Sequence, residues 1–347
     1  MEPCHVPFNV TIRNLDRTIE VEPGETILEA AILAGVDYPC GCQSGNCGAC
    51  KSTLVSGEVE MSPYSDFALL PEERERGLIL ACRSVPWSDC AVAWLEQDEM
   101  VMHASRVMTC RVAAIEALTD DVRRLKLDIE SGGPFDFSPG QYARLTFGRL
   151  PGRDFSMANR PDEAGLEFHV RLLPGGTVSR FIADSLAVGD KVRIDGPMGI
   201  AYLRDSHRGP ILAIAGSTGL APILSIVATA LDKGMPQPIH LYFGVRDERD
   251  LYDMDRLEAL ADAHDNLTVV PVLSDPVAPT ERRTGLVTDA VARDFADLDG
   301  AKAYVAGPPA MVEAAVPLLV RLGVRRADCH YDAFYTEAEK AAVGGAA

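Results

Sequence analysis

The chain has 347 residues, 47% hydrophobic and 24% charged, a composition that folds and a length that exceeds a single core, so two or three domains are expected. Its net charge of −18 excludes nucleic-acid binding built on clustered Lys and Arg, and nine cysteines, an odd number, argue against a disulfide framework and for metal-binding or catalytic thiols. Met1 to Asn14 shows no basic stretch followed by an apolar run, so no secretory signal is read and the expected location is cytoplasmic.

The first third predicts short strands around a single helix. "HVPFNVTI" and "RTIEVE" have strand character. "TILEAAILAG" reads as a helix opened by a T-x-x-E capping box, Thr26 to Glu29, with Gly35 placed for a left-handed residue at its end. The loop that follows, "YPCGCQSGNCGACKS", sets Cys42, Cys47 and Cys50 in a C-x4-C-x2-C arrangement, and Cys82 comes 32 positions later in "LILACRS". This is the plant-type spacing of a 2Fe-2S cluster, in which four thiolates hold two irons and a distant strand closes the loop. Gly41, Gly45, Gly48 and Ala49 leave room for backbone N–H groups to turn toward the sulfurs. Two rival readings are a structural zinc site, which usually shows two C-x2-C pairs, and a redox pair at Cys47 and Cys50. Cys40 is expected to sit beside the loop, and Cys4, Cys90, Cys110 and Cys329 to pack elsewhere. The first 98 residues carry 16 acidic and 6 basic side chains, an excess that serves either solubility or docking of a basic partner.

An acidic segment, Glu96 to Met100, predicts a domain boundary. Beyond it, "SPGQYARLTF", "LEFHVRLLPGG" and "KVRIDGPMG" are short strands with Pro and Gly turns, the pattern of an antiparallel barrel or sandwich, interrupted by one helix, "VSRFIADSL". Gly209 to Leu231 is 23 residues without a charge, long enough to raise a membrane-spanning reading, but its centre, "AGSTGLAP", predicts a strand, a turn and a helix. From there "ILAIAG", "PIHLYFGV", "LTVVPVLS" and "KAYVAG" alternate with helical segments, as in an open parallel sheet. The tail "AAVGGAA" is expected to be disordered.

On the cysteine loop the first third resembles a plant-type ferredoxin domain, and the remainder resembles the ferredoxin reductase superfamily. The whole chain resembles the three-domain reductase of a multicomponent, Rieske-type aromatic-ring oxygenase. That resemblance implies a β-grasp ferredoxin domain over residues 1–98, an antiparallel FAD-binding β-barrel over 101–206 and a Rossmann-like, parallel-sheet NAD(P)-binding domain over 207–337. "RDFSMAN" resembles the family's R-x-[YF]-S flavin motif. It implies that Arg153 pairs with the flavin phosphates, that Phe155 lies against the isoalloxazine and that Ser156 bonds near its reactive nitrogen, with Asp154 inside the motif. In "PGGTVS", Gly175, Gly176 and Thr177 precede a helix beginning near Val178, with Ser179 in its first turn, so free N–H groups can receive a pyrophosphate. FAD is favoured over FMN.

"AGSTGLAP" is not G-x-G-x-x-G but resembles the family's G-x-[TS]-G-x-x-P, implying that Gly216, Thr218, Gly219 and Pro222 approach the nicotinamide nucleotide. In "AGPPAMV", Gly307, Pro308 and Pro309 match the family's C-G-P-P, with Ala306 in place of the cysteine. Phe334, in "HYDAFY", would lie near the flavin edge or in the core. In "FGVRDERDLYD", the acids Asp247, Glu248 and Asp250 favour the ribose of NADH, whereas Arg246 would accommodate the 2′-phosphate of NADPH; NADH is favoured. The implied electron order is NADH, flavin, cluster and a terminal oxygenase as external partner, with no general base or nucleophile, no nucleic acid and no membrane. Alternatives are service to a di-iron monooxygenase or a deoxysugar dehydratase, or a flavin and cluster redox sensor.

Overall fold

The computed structural model describes residues 6–95, 99, 101, 103–336 and 339. Cys4, most of the acidic segment before the expected boundary and the "AAVGGAA" tail lie outside the described residues. The chain falls into two compact units, one within Met1–Met102 and the other His103–Phe334.

In the first unit, period-two alternation buries Val10 and Ile12 on β1 (Phe8–Ile12) and Ile19 and Val21 on β2 (Arg17–Val21). The same core takes Ile27, Leu28, Ala30 and Ala31 from α1 (Ile27–Leu33). Both halves of the capping box form: the Glu29 N–H donates to Thr26 Oγ1 at 3.2 Å and the Thr26 N–H to Glu29 Oε2 at 2.9 Å. Gly35 ends the helix at φ +67°. After the cysteine loop come β3 (Lys51–Ser56), β4 (Val59–Met61), α2 (Pro71–Glu75), β5 (Leu78–Leu80), β6 (Ser84–Pro86) and β7 (Cys90–Trp94). The sheet order is β2-β1-β7-β3-β5, with β1 and β7 parallel, while β4 pairs with β6. Helix α2 corrects the expectation of a single helix. It is five residues long and buries none of them, so it leaves no apolar period in the sequence. Pro71 starts it, and Glu73 accepts the Leu70 N–H at 2.9 Å while pairing with Lys51 at 2.6 Å.

The second unit begins with β8 (Arg106–Ala117), β9 (Val122–Ser131), β10 (Tyr142–Phe147), β11 (Arg153–Ser156), β12 (Leu166–Arg171), α3 (Thr177–Asp184) and β13 (Lys191–Met198). These six strands form an antiparallel sheet in the order β11-β10-β13-β8-β9-β12, and a bridge between Met157 and Phe168 brings its two edges together into a nearly closed barrel. Its filling is the cluster that includes Leu125, Leu145, Phe147, Phe168 and Ile194.

There follow β14 (Ile211–Gly216), α4 (Leu220–Asp232), β15 (Ile239–Val245), α5 (Met254–Ala263), β16 (Leu267–Leu273), β17 (Arg283–Thr284), α6 (Val287–Asp294), β18 (Lys302–Gly307), α7 (Pro309–Arg321) and β19 (Cys329–Ala333). The sheet is parallel throughout, in the order β17-β16-β15-β14-β18-β19. Every residue of β14 is buried, as a central parallel strand covered on both faces requires. The charge-free stretch thus divides into β14, a one-turn 3-10 segment and α4, and no described helix is long and apolar enough to cross a membrane. Chain order reverses between β14 and β18, which makes the carboxyl ends of these two strands the switch point where an open α/β sheet binds its ligand. Barrel and sheet are joined directly: the Ser225 hydroxyl of α4 donates to the Asn159 carbonyl at 2.7 Å, and both groups are buried.

Candidate cofactor sites

The cysteine loop turns at Gly45 (φ +78°) and Gly48 (φ +72°), where a side chain would meet the Arg83 side chain and the Ala68 carbonyl. Glycine there lets the loop wrap inward, so the N–H groups of Ser44, Asn46 and Cys47 point at Cys42 Sγ from 3.5, 3.2 and 3.3 Å. The Ala49 N–H approaches Cys47 Sγ at 3.5 Å, and the Cys82 N–H, in the turn after β5, approaches Cys50 Sγ at 3.4 Å. Amides aimed at sulfur stabilise thiolate charge. A hydrogen bond from Cys47, followed by the Ser44 and Asn46 amides, pulls the Cys42 thiol down to about 5 despite its burial. Cys82 does the same for Cys50, while Cys47 and Cys82, as the donors, are pushed up.

The four thiols therefore come as two pairs, Cys42 with Cys47 and Cys50 with Cys82. Four zinc-bound sulfurs would crowd one point, since Zn–S bonds are about 2.3 Å. Among the described residues, the group of three or more metal-ligating side chains whose atoms lie within 4.8 Å of one another is a different one, Glu167, His169 and Asp253. Two thiols for each of two irons is what a 2Fe-2S cluster takes, so the donor set fits the cluster and not the zinc. Cys40 is half-buried beside the loop, and burial pushes its thiol up to about 11. Cys90, Cys110 and Cys329 are buried elsewhere.

On the barrel, β11 carries the flavin motif. Ser156 is buried, and Arg153 and Phe155 are half-buried; the Arg153 guanidinium donates to the Gly152 carbonyl at 2.8 Å. Asp154 is held by Arg144 through bonds of 2.8 and 3.0 Å. The two residues face each other across the β10/β11 ladder, a relation that appears in sequence only once the register is known. Helix α3 starts from Gly176 with no side-chain cap, next to Gly175 at φ +75°, so its first N–H groups are left for an anion. Ser179 Oγ accepts the Leu173 N–H at 2.9 Å and shapes this turn, while Thr177 is the first helical residue. An arginine with one main-chain partner and an uncapped helix start fit a flavin nucleotide's phosphates.

At the switch point, Gly216 ends β14 and Gly219 opens α4 after the 3-10 turn Ser217–Gly219. A Cβ on Gly216 would lie 2.6 Å from Met311 Sδ and 2.8 Å from Pro308. One on Gly307 would lie 2.7 Å from the Gly216 carbonyl, and one on Gly219 would press into the Ala306 carbonyl. The three glycines are thus required by the close approach of the turns after β14 and β18, which forms the cradle a dinucleotide needs. Thr218 and Pro222 are buried in it. Phe334 is half-buried against the same core, and its N–H donates to the Gly307 carbonyl at 2.9 Å, so it stands at the same end of the sheet. The acids after β15 are engaged locally. Asp250 accepts the Asp247 N–H at 3.1 Å, Asp247 accepts the Val277 N–H at 3.1 Å, and Glu248 pairs with Thr280 and Arg282. Arg246 is largely exposed and lies 3.6 Å from Asp275.

Comparison with known proteins matches residues 10–86 to a 2Fe-2S iron-sulfur cluster binding domain, 109–202 to an oxidoreductase FAD-binding domain and 213–316 to an oxidoreductase NAD-binding domain. The reductase component of the naphthalene 1,2-dioxygenase/salicylate 5-hydroxylase systems of a Ralstonia species is 43% identical over 94% of this chain and 99% of its own. The reductase component of the naphthalene 1,2-dioxygenase system of Pseudomonas putida is 41% identical, with the same shares of both chains covered. The crystal structure of an Amycolatopsis cytochrome P450 reductase superposes with a TM-score of 0.78 at 38% identity, covering 94% of this chain and 98% of that one.

Proposed function

As this chain belongs to the ferredoxin–NAD(P)+ reductase components of oxygenase systems, we propose that it carries electrons from NADH to the terminal oxygenase of an aromatic-ring-hydroxylating system. One observation carries the reading: a single chain holds a site for a two-electron donor and a site for a one-electron acceptor, with a flavin-binding barrel between them in sequence. When bound, the nicotinamide supplies an electron pair, the flavin accepts it whole and releases it singly, and the 2Fe-2S cluster takes one electron at a time.

The protein's part is binding and placement. Cys42 and Cys47 would hold one iron and Cys50 and Cys82 the other, with the Ser44, Asn46, Cys47 and Cys82 amides stabilising sulfur charge. Arg153 and the start of α3, at Gly175, Gly176, Thr177 and Ser179, take the FAD phosphates. Phe155 and Ser156 would face a bound isoalloxazine, and Asp154 orients the strand through Arg144. Gly216, Thr218, Gly219, Pro222, Gly307 and Pro308 would form the nicotinamide dinucleotide cradle, and Phe334, at the same end of the sheet, would lie near the edge of a bound flavin. Arg246 and Asp250 frame the adenosine ribose. In this reading the modules run over 1–98, 101–206 and 207–337, and a chain that draws on NADH and has no described helix able to cross a membrane fits a cytoplasmic location.

The test separates the modules. The holoprotein should reduce ferricyanide and cytochrome c with NADH, and Cys82→Ser should abolish cytochrome c reduction while sparing most ferricyanide reduction, because ferricyanide can draw electrons from the flavin. Equal loss of both activities would refute the order flavin then cluster.

A further inference from the structure

Where the barrel meets the parallel sheet, a buried histidine and tyrosine link the two. His169, on β12, has a fully buried ring. Tyr252 precedes α5, and the two rings meet edge to face at 5.3 Å and 84°. Tyr252 Oη lies 3.3 Å from His169 Nδ1 and donates to the Ser217 carbonyl at 3.4 Å. Phe243 closes the other side of the tyrosine at 5.6 Å and 85°. Ser217 is the first residue of the 3-10 turn in the dinucleotide cradle and adopts φ +50°, a conformation that a non-glycine residue keeps only when its surroundings impose it.

Behind His169 stands a charged network. Its Nε2 is 3.2 Å from Glu167 Oε1 and 3.6 Å from Asp253 Oδ2. Glu167 also takes Arg256 at 3.0 Å and Arg124 at 3.5 Å, and Arg124 bonds Asp253. Tyr252 directs its one phenol hydrogen at the Ser217 carbonyl and sets its oxygen beside His169 Nδ1, so the hydroxyl is the link between the histidine and the turn.

Resting on the assignment of this turn to the nicotinamide dinucleotide, we propose that Tyr252 and His169 are positioning residues that brace the Ser217 turn against the flavin barrel. They hold the dinucleotide cradle in register with the flavin and touch neither cofactor. Glu167, His169 and Asp253 also have the spacing of metal ligands. Arg124 and Arg256 already compensate both carboxylates, so a metal ion there would face two guanidiniums. The adjoining cavity, of 670 Å³, is lined by charges of both signs, among them Lys126, Glu163 and Asp255, and selects neither anion nor cation.

Tyr252→Phe keeps both ring contacts and removes the hydroxyl alone. In the full-length holoprotein it should weaken NAD+ binding, measured by calorimetry, about threefold to tenfold, the effect of one hydrogen bond. Amide hydrogen exchange should quicken across Ser217–Leu220, with flavin content and melting temperature unchanged. His169→Asn, whose amide can take the place of Nδ1, should retain more affinity than His169→Leu. Wild-type affinity and exchange in Tyr252→Phe would overturn the brace, as would loss of flavin or of melting temperature in step with affinity. A wild-type protein that binds no NAD+ would instead overturn the assignment of the turn and the brace with it.

Discussion

Replacing Gly219 by alanine should disable reduction of the flavin by NADH, against what local preference suggests. Gly219 has φ −58° and ψ −15°, ordinary right-handed helical angles, so a side chain costs the backbone nothing. Loss of glycine freedom in the unfolded chain would by itself stabilise the protein by about 0.4–1 kcal/mol. The new Cβ, however, stands 2.8 Å from the Gly307 nitrogen and nearer still to the Ala306 carbonyl, where ordinary contact begins at 3.4 Å. Strand β18 cannot yield there, because Ala306 pairs with Ala215 on one side and Asp332 on the other. The turn must therefore retreat by on the order of 1 Å, at an overpacking cost of about 1–3 kcal/mol, which exceeds the entropic gain. A misplacement of that size costs roughly 100-fold in a positioned reaction. Anaerobic stopped-flow measurement of flavin bleaching by NADH reads this directly. Gly300→Ala is the control: at φ +72° with no atom within 4 Å, at the opposite end of β18, it carries backbone strain of about 1–2 kcal/mol without touching the cradle. It should lower the melting temperature and leave flavin reduction intact. Reduction of the Gly219→Ala flavin at the wild-type rate would refute the close-approach argument.

Arg246→Ala should raise the KM for NADPH by about 10- to 100-fold, the worth of a hydrogen bond to a charged group, and leave that for NADH nearly unchanged. Steady-state kinetics with both coenzymes checks this, and a matched rise in both KM values would show that Arg246 does not read the 2′ position. Glu167 gives a pH dependence. Burial pushes its carboxyl up, but the bond and charge of His169 with the Arg256 and Arg124 guanidiniums outweigh burial and hold it down to about 2. The folded value lies below the unfolded one of about 4.5, so the stabilisation, at most on the order of 3 kcal/mol, is full above pH 4.5 and lost as pH falls toward 2. Thermal melts followed by circular dichroism should show Glu167→Gln well below wild type at pH 7 and the gap narrowed at pH 3. A gap independent of pH would remove the carboxylate charge from the account.

Features set by neighbours in the chain were readable from residue order. The capping box of Thr26 and Glu29, the break of the charge-free stretch at "AGSTG" and the C-x4-C-x2-C loop that points to a 2Fe-2S domain all rest on spacing within a turn, a loop or a period, where a hydrogen bond or a turn constrains residues a few positions apart. Helix α2 escaped because a five-residue helix that buries nothing has no period. What folding alone decided lies between segments distant in sequence. That the cysteines divide two and two, so that iron displaces zinc as the reading, depends on β5 delivering Cys82 to Cys50. Gly219 must be glycine because β18, nearly ninety residues later, becomes the neighbour of β14, and Asp154 belongs to Arg144 because of a strand register. His169 and Tyr252 match no motif, being 83 positions apart and brought together only where the barrel meets the parallel sheet. Close approach between strands is a property of sheet order, and nothing in the local backbone preferences of either partner records which strand will lie beside it.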